Sequence, residues 1–193
     1  MNNTALITWA SSGLGKEFAK IHASTWWDIV IVARSENKLN ELKDELTTKY
    51  GVEIKVIVKD LTIATSRQEI YDELKNEKIE IDILINNAGF WGIGKFYERE
   101  WESDKNMIEL NITALTELTR LFLPDFVQRN TGRIFNVSST ASLMPGPMQA
   151  VYFATKAYVT SFSNAIAEEL HVNDVTVTAL LPWATETDFW KVS

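Results

Sequence analysis

The chain has 193 residues, 46% of them apolar and 23% charged, which is the balance of one folded domain able to bury its own core. Nineteen basic against 26 acidic residues give a net charge of −7 and argue against a nucleic-acid backbone as the main partner. With no cysteine there are no disulfides or thiolate metal sites, and no apolar run reaches the roughly 20 residues of a membrane span.

In chain order, short β-branched runs alternate with longer amphipathic segments. Strands are expected at "TALIT" (4–8), "DIVIVA" (28–33), "EIKVIV" (53–58), "IDILIN" (81–86), "RIFNVS" (133–138) and "VTVTALL" (175–181). Each is nearly continuously apolar, as strands covered on both faces are. Helices are expected at 13–24, 36–50, 65–77, 103–129 with a break near Asn111, and 150–170. Strand, helix, strand in this order implies right-handed crossovers. The expected fold class is α/β, a doubly wound parallel sheet with helices on both faces, Rossmann-like, in one domain over 1–193. The N-terminus has no basic leader, so a cytoplasmic protein without a membrane partner is expected.

Ligands of such sheets bind beyond the carboxyl ends of the strands, so the loops there carry the chemistry. After the first strand, "ASSGLG" (10–15) opens a helix: Ser11, Ser12, Gly13, Leu14 and Gly15 let backbone and helix N–H groups approach an anion. A tight turn with close helix packing explains the same glycines equally well. After the second strand comes Arg34, suited to a 2′-phosphate or simply solvated. After the third come Asp60 and Leu61, with Asp60 placed for an adenine amino group or a helix N-cap. After the fourth comes "NNAG", with Asn87, Ala88 and Gly89 in a tight turn.

The fifth strand leaves Ser138 and Ser139 at its end, and Tyr152 and Lys156 follow on a helix. At i and i+4 these two share a face, roughly 5–6 Å apart at Cβ. A nearby ammonium favours tyrosinate, so the phenol is expected below its ordinary value of about 10, toward general acid–base use. A core tyrosine with a snorkelling lysine is the plainer reading of the pair alone. His22 and His171 have no carboxylate or cysteine cluster at ligand spacing, so no metal is expected.

Together "TWASSGLG", "KDL", "NNAG", Asn111 in "ELNITA", "GRIFNVSS", "YFATK" and "PWATETDF" resemble the short-chain dehydrogenase/reductase family over essentially the whole chain, and within it the oxoacyl-reductase-like oxidoreductases. The resemblance implies that Tyr152 passes a proton to or from a substrate oxygen, that Ser139 polarises the same group, that Lys156 holds the nicotinamide ribose, and that Asn111 keeps a helix kink and a water open for proton relay. It extends the cofactor set to Pro182, Thr185 and Thr187. With Arg34 it implies NADP(H) in preference to NAD(H), a small carbonyl or alcohol substrate, and hydride transfer between them. It also implies a homodimer or homotetramer through 103–129 and 150–170, whose apolar stripes include Leu110, Ala114, Leu118, Phe122, Ala154, Tyr158 and Phe162, unless these simply pack in the core. The family normally continues past "TETDF", so a shorter C-terminus than usual is expected.

The sequence departs from the family in one consistent way. Trp9, Trp91, Trp183 and one of Trp26 and Trp27 stand at positions where the family has or favours glycine. Seven tryptophans accompany only 8 glycines, where an average of roughly 7% would give about 13. A bulky residue in the cofactor loop is expected to impair cofactor binding, which leaves a second reading open: an impaired relative serving as a dinucleotide sensor or scaffold.

Overall fold

The computed structural model describes residues 3–183. Six strands form one sheet, β1 (Thr4–Thr8), β2 (Asp28–Ala33), β3 (Ile54–Val58), β4 (Ile83–Asn86), β5 (Gly132–Val137) and β6 (Val175–Leu180). All pair in parallel, in the order β3-β2-β1-β4-β5-β6. The fold is therefore the doubly wound α/β sheet expected from the sequence, with strand bounds shifted by no more than two residues. Six helices connect the strands: α1 (Gly13–Ser24), α2 (Glu36–Tyr50), α3 (Ala64–Asn76), α4 (Trp101–Ile108), α5 (Leu115–Arg129) and α6 (Ala150–Glu169).

The period-2 alternation within each strand divides the core in two. Ala5, Ile7, Ile29, Ile31 and Ile85 face α1 and α2, with Leu39, Leu42 and Leu46 of α2 buried among them. Leu6, Val30, Val32, Leu84 and Ile134 face the other way, onto Ile70 and Leu74 of α3 and Leu118, Phe122 and Phe126 of α5. Each buried Val, Leu, Ile or Phe among them contributes on the order of 1.5–3 kcal/mol. The stripe Leu110, Ala114, Leu118 and Phe122 is thus core of this chain, which corrects its reading as part of a partner face. Ala154, Tyr158 and Phe162 lie on the outer side of α6, where Tyr158 stacks on Phe162 at 5.6 Å and bonds the Thr116 hydroxyl at 2.9 Å.

The break expected near Asn111 is a π-helical turn, Glu109–Ala114, joining α4 to α5. Arg67 of α3, only 2% exposed, grips both sides of that turn, through Glu109 at 2.9 Å and Glu117 at 2.6 Å. Helix α1 stops in a Schellman motif: the Trp26 N–H donates to the Ala23 carbonyl and the Trp27 N–H to the His22 carbonyl. No helix among the described residues is long and apolar enough to cross a membrane.

Candidate active site

The strand order reverses between β1 and β4, and the crevice opens at their carboxyl ends. Thr8 stitches the two strands there. Its hydroxyl accepts from the N–H groups of Asn87 (2.9 Å) and Ala88 (3.0 Å) and donates to the Ile85 carbonyl (3.3 Å). Gly15 fixes how closely α1 approaches, because a Cβ at that position would lie 2.3 Å from the Trp9 carbonyl oxygen and 2.7 Å from the Asn87 amide nitrogen. Gly13, with φ of 54°, makes the turn itself. Leu14 is half-buried in the same first turn of α1.

On one side of the crevice a cavity of about 690 Å³ is lined by Ser11, Ser12, Arg34, Asp60, Leu61 and Ala88, and also by Trp9. Ser12 holds the N-cap position of α1 without a side-chain cap bond, so the first N–H groups of that helix are left for an anion. Arg34 reaches Asp60 at 3.8 Å, and its guanidinium lies 5.6 Å from the centre of the Trp9 ring. Asp60 accepts from the Thr62 N–H (2.9 Å) and hydroxyl (2.7 Å). The N-cap reading of Asp60 is corrected, since α3 begins later, with Ile63 at its N-cap. Lys38 also lines the cavity; it went unread, because an exposed lysine on α2 is not by itself a signal.

On the other side stands the polar set of β5 and α6. Ser138 is buried, bonded to the Lys156 carbonyl (3.0 Å) and the Thr160 hydroxyl (2.7 Å). Ser139 is the serine that faces the crevice, accepting from the Ala141 N–H at 3.1 Å and hydrogen-bonded to the Tyr152 phenol. Tyr152, in the first turn of α6, is 9% exposed. Lys156 lies below it, with Nζ donating to the Val137 carbonyl at 2.8 Å and standing 5.9 Å from the Tyr152 ring centre.

The titration of this pair corrects the sequence expectation. Burial holds the Tyr152 phenol above its ordinary value of 10, and only the Ser139 hydrogen bond pulls it back. The buried Lys156 ammonium is itself depressed from 10.5 to about 8. Desolvation sets the direction of both shifts, and the lysine amine is turned onto the Val137 carbonyl.

Asn111 sits in the π-helical turn with its amide fully engaged. Oδ1 accepts from the Phe90 N–H (3.0 Å), and Nδ2 donates to the Phe90 carbonyl (2.9 Å) and the Thr155 hydroxyl (3.1 Å). Thr155 in turn donates to the Tyr152 carbonyl at 2.7 Å, a link that sequence reading missed. Gly89 closes the group, since a Cβ there would lie 3.0 Å from Asn111 Oδ1 and 3.5 Å from Lys156 Nζ. The Pro182 carbonyl accepts from the Thr140 N–H at 3.2 Å and so supports the loop after Ser139. Thr185 and Thr187 lie outside the described residues. Phe90, Trp91, Phe153 and Met107 surround Tyr152 with apolar surface. His22 and His171 bond only carbonyls of their own helices, and no group of three or more metal-ligating side chains occurs among the described residues.

A family profile described as short chain dehydrogenase matches residues 3–193. The chain belongs to the short-chain dehydrogenase family. Among short-chain dehydrogenase relatives it is 35% identical to a very-long-chain 3-oxoacyl-CoA reductase from Anas platyrhynchos, over 98% of this chain and 62% of that protein. It therefore spans about three-fifths of the length of that curated relative. Among solved structures it superposes on a short-chain dehydrogenase from Sphingobium yanoikuyae in complex with NADPH with a TM-score of 0.93. The identity is 38%, over 98% of this chain and 73% of that one. A bulky-bulky ketone specific alcohol dehydrogenase from Comamonas testosteroni gives a TM-score of 0.90 at 36% identity, over 95% of this chain and 74% of that one.

Proposed function

We propose that this chain is an NADP(H)-dependent oxidoreductase that interconverts a carbonyl and an alcohol. The observation that carries this reading is the convergence of Ser139, Tyr152 and Lys156 on one wall of a crevice whose other wall bears Arg34 and Lys38. The cofactor would lie with its phosphates at the start of α1 and a 2′-phosphate between Arg34 and Lys38, and when bound it supplies or accepts the hydride. The two cations favour NADP(H) over NAD(H), because NAD(H) carries no charge there for them to meet.

The protein's own work is position and protonation. Ser139 donates a hydrogen bond to the substrate oxygen and polarises the carbonyl. Tyr152, held protonated by burial, gives its proton to that oxygen as negative charge develops, and takes it back in the oxidation direction. Lys156 keeps a positive charge beneath the phenol and stabilises the tyrosinate once the proton has left. Asn111 locks the Phe90 backbone and Thr155 against the first turns of α6, which fixes where the tyrosine stands. The apolar surround of Tyr152 supports a substrate whose carbonyl is flanked by bulky hydrocarbon, in keeping with the named activities of the relatives. A cytoplasmic homodimer or homotetramer, formed through the outer face of α6, belongs to the same proposal.

One residue favours the second reading, a dinucleotide sensor or scaffold without turnover: Trp9 stands in the cavity the adenosine would need. Oxidation of NADPH against bulky aliphatic and aryl ketones separates the two. Turnover is expected, with a fall of roughly a hundred- to ten-thousand-fold in Tyr152→Phe. Activity that survives this substitution would sink the assignment.

A further inference from the structure

The charged groups of the cavity fit a dinucleotide; Trp9 does not. With φ of 53°, Trp9 is in the left-handed region, where glycine is at ease and a bulky side chain is an outlier. The turn has no room to relax. Gly15 lies against the Trp9 carbonyl, the Asn87 amide bonds the carbonyls of Thr8 (3.1 Å) and Trp9 (3.4 Å), and the Ala10 N–H donates to the Val32 carbonyl. The indole packs against the apolar cluster of the strand ends, with the Arg34 guanidinium over its ring.

A second tryptophan repeats the backbone anomaly away from the cavity. Trp26, with φ of 60°, holds the left-handed position of the Schellman motif that ends α1, and its side chain is 71% exposed. Glycine is the usual occupant there. Its neighbour Trp27 behaves as a tryptophan should: it packs on the core beside α1, edge-on to His22 at 5.4 Å, the apolar contact that accompanies this motif. Lys78 and Asn130 take the same left-handed position after α3 and α5, so backbone alone does not demand glycine. What singles out positions 9 and 26 is that tryptophan, usually the scarcest residue, fills both, in a chain with seven tryptophans and 8 glycines.

One codon connects the two residue types. UGA differs by a single base from the tryptophan codon UGG and from the glycine codon GGA, and variant genetic codes read it as one amino acid or the other. We propose that positions 9 and 26 are encoded by UGA and are glycine in the polypeptide the cell makes, so that the cavity beyond β1, β2 and β3 is open to the adenosine half of a dinucleotide. The consequence for the cavity rests on the oxidoreductase reading above; the assignment of position 26 does not.

The gene tests this without any assay. UGA is expected at codons 9 and 26 and UGG at codon 27, and UGG at either of the first two overturns the proposal. Peptide masses of the protein purified from its own cells are expected to be lower by the difference between tryptophan and glycine at each position; masses that keep tryptophan overturn it. The cavity consequence is tested by titrating NADPH into the chain with Trp9 and into its Trp9→Gly variant, followed by cofactor fluorescence. The variant is expected to bind roughly tenfold or more tightly, and equal affinity overturns the open-cavity claim. UGA codons with glycine in the peptide masses, together with tight NADPH binding but no turnover, would sustain this proposal and reject the oxidoreductase reading, so the two failures are distinguishable.

Discussion

The two walls of the crevice are built on opposite principles. Around Tyr152 the site is made of side chains, buried and each held by a neighbour: Lys156 by the Val137 carbonyl, Asn111 by Phe90 and Thr155, Ser139 by Ala141. Around Trp9 the site is made of backbone, and it works by what is missing: no Cβ at Gly15, no cap bond from Ser12. A polar site of the first kind survives as long as its residue types do. A site of the second kind is lost to one added ring, and the same sequence therefore presents an intact polar wall beside a cavity that Trp9 partly fills.

One residue ties the walls together and offers the largest test of whether they behave as one unit. Arg67 is buried, bridges Glu109 and Glu117 across the Asn111 turn, and also donates to the carbonyl of Leu61, which lines the cavity. Arg67→Ala leaves two partly buried carboxylates unpaired and is expected to cost about 3 kcal/mol in urea unfolding. It should also weaken NADPH binding and turnover together. A loss below about 1 kcal/mol with unchanged turnover would show the two walls to be independent.

Smaller, and opposite in sign, is the effect of the buried ammonium. The amine of Lys156 is depressed to about 8, so the folded state holds fewer protons than the unfolded chain between that value and the ordinary 10.5. Its destabilising effect is complete below about pH 8 and is relieved as pH rises toward 10.5. Lys156→Met is expected to stabilise the fold at pH 7 by about 2 kcal/mol, net of the hydrogen bond lost at Val137, and to abolish turnover. The stability gain should shrink when the melts are repeated near about pH 9.5. A gain that does not change with pH would mean that the lysine is neutral or solvated at pH 7.

What the sequence made legible follows the same division. Strands and helices were readable because parallel strands covered on both faces are continuously apolar, and "DIVIVA" and "TALIT" became β2 and β1 without a shift. The grouping of Ser139, Tyr152, Lys156 and Asn111 was readable because they are chemically specific types at fixed spacing. The direction of the Tyr152 titration was not, because it depends on burial and on where the Lys156 amine points, and neither is local. The π-helical turn was only half legible: a break near Asn111 could be expected, but its clasp by Arg67, more than 40 residues earlier in the chain, is not local. Lys38 escaped notice because one more lysine on the solvated face of α2 carries no signal until Arg34 and the cavity are placed beside it.

The smallest effect separates backbone strain from the bulk of the indole. Trp26 shares the left-handed φ of Trp9 but lies far from the crevice in an exposed turn, so Trp26→Gly relieves conformational strain and nothing else. A left-handed non-glycine residue costs roughly 1–2 kcal/mol, and the greater freedom of glycine in the unfolded chain returns roughly 0.5–1 of that. A net stabilisation of about 0.5 kcal/mol is expected in thermal melts, with NADPH affinity and turnover unchanged. Trp9→Gly carries the same backbone contribution together with the removal of the indole from the cavity. If the two substitutions raise stability alike while only the second changes NADPH affinity, the obstruction at Trp9 is steric and the strain is common to both. A change in affinity at Trp26→Gly would instead mean that α1 transmits the strain of its C-terminal turn to the N-terminal turn proposed to meet the phosphates.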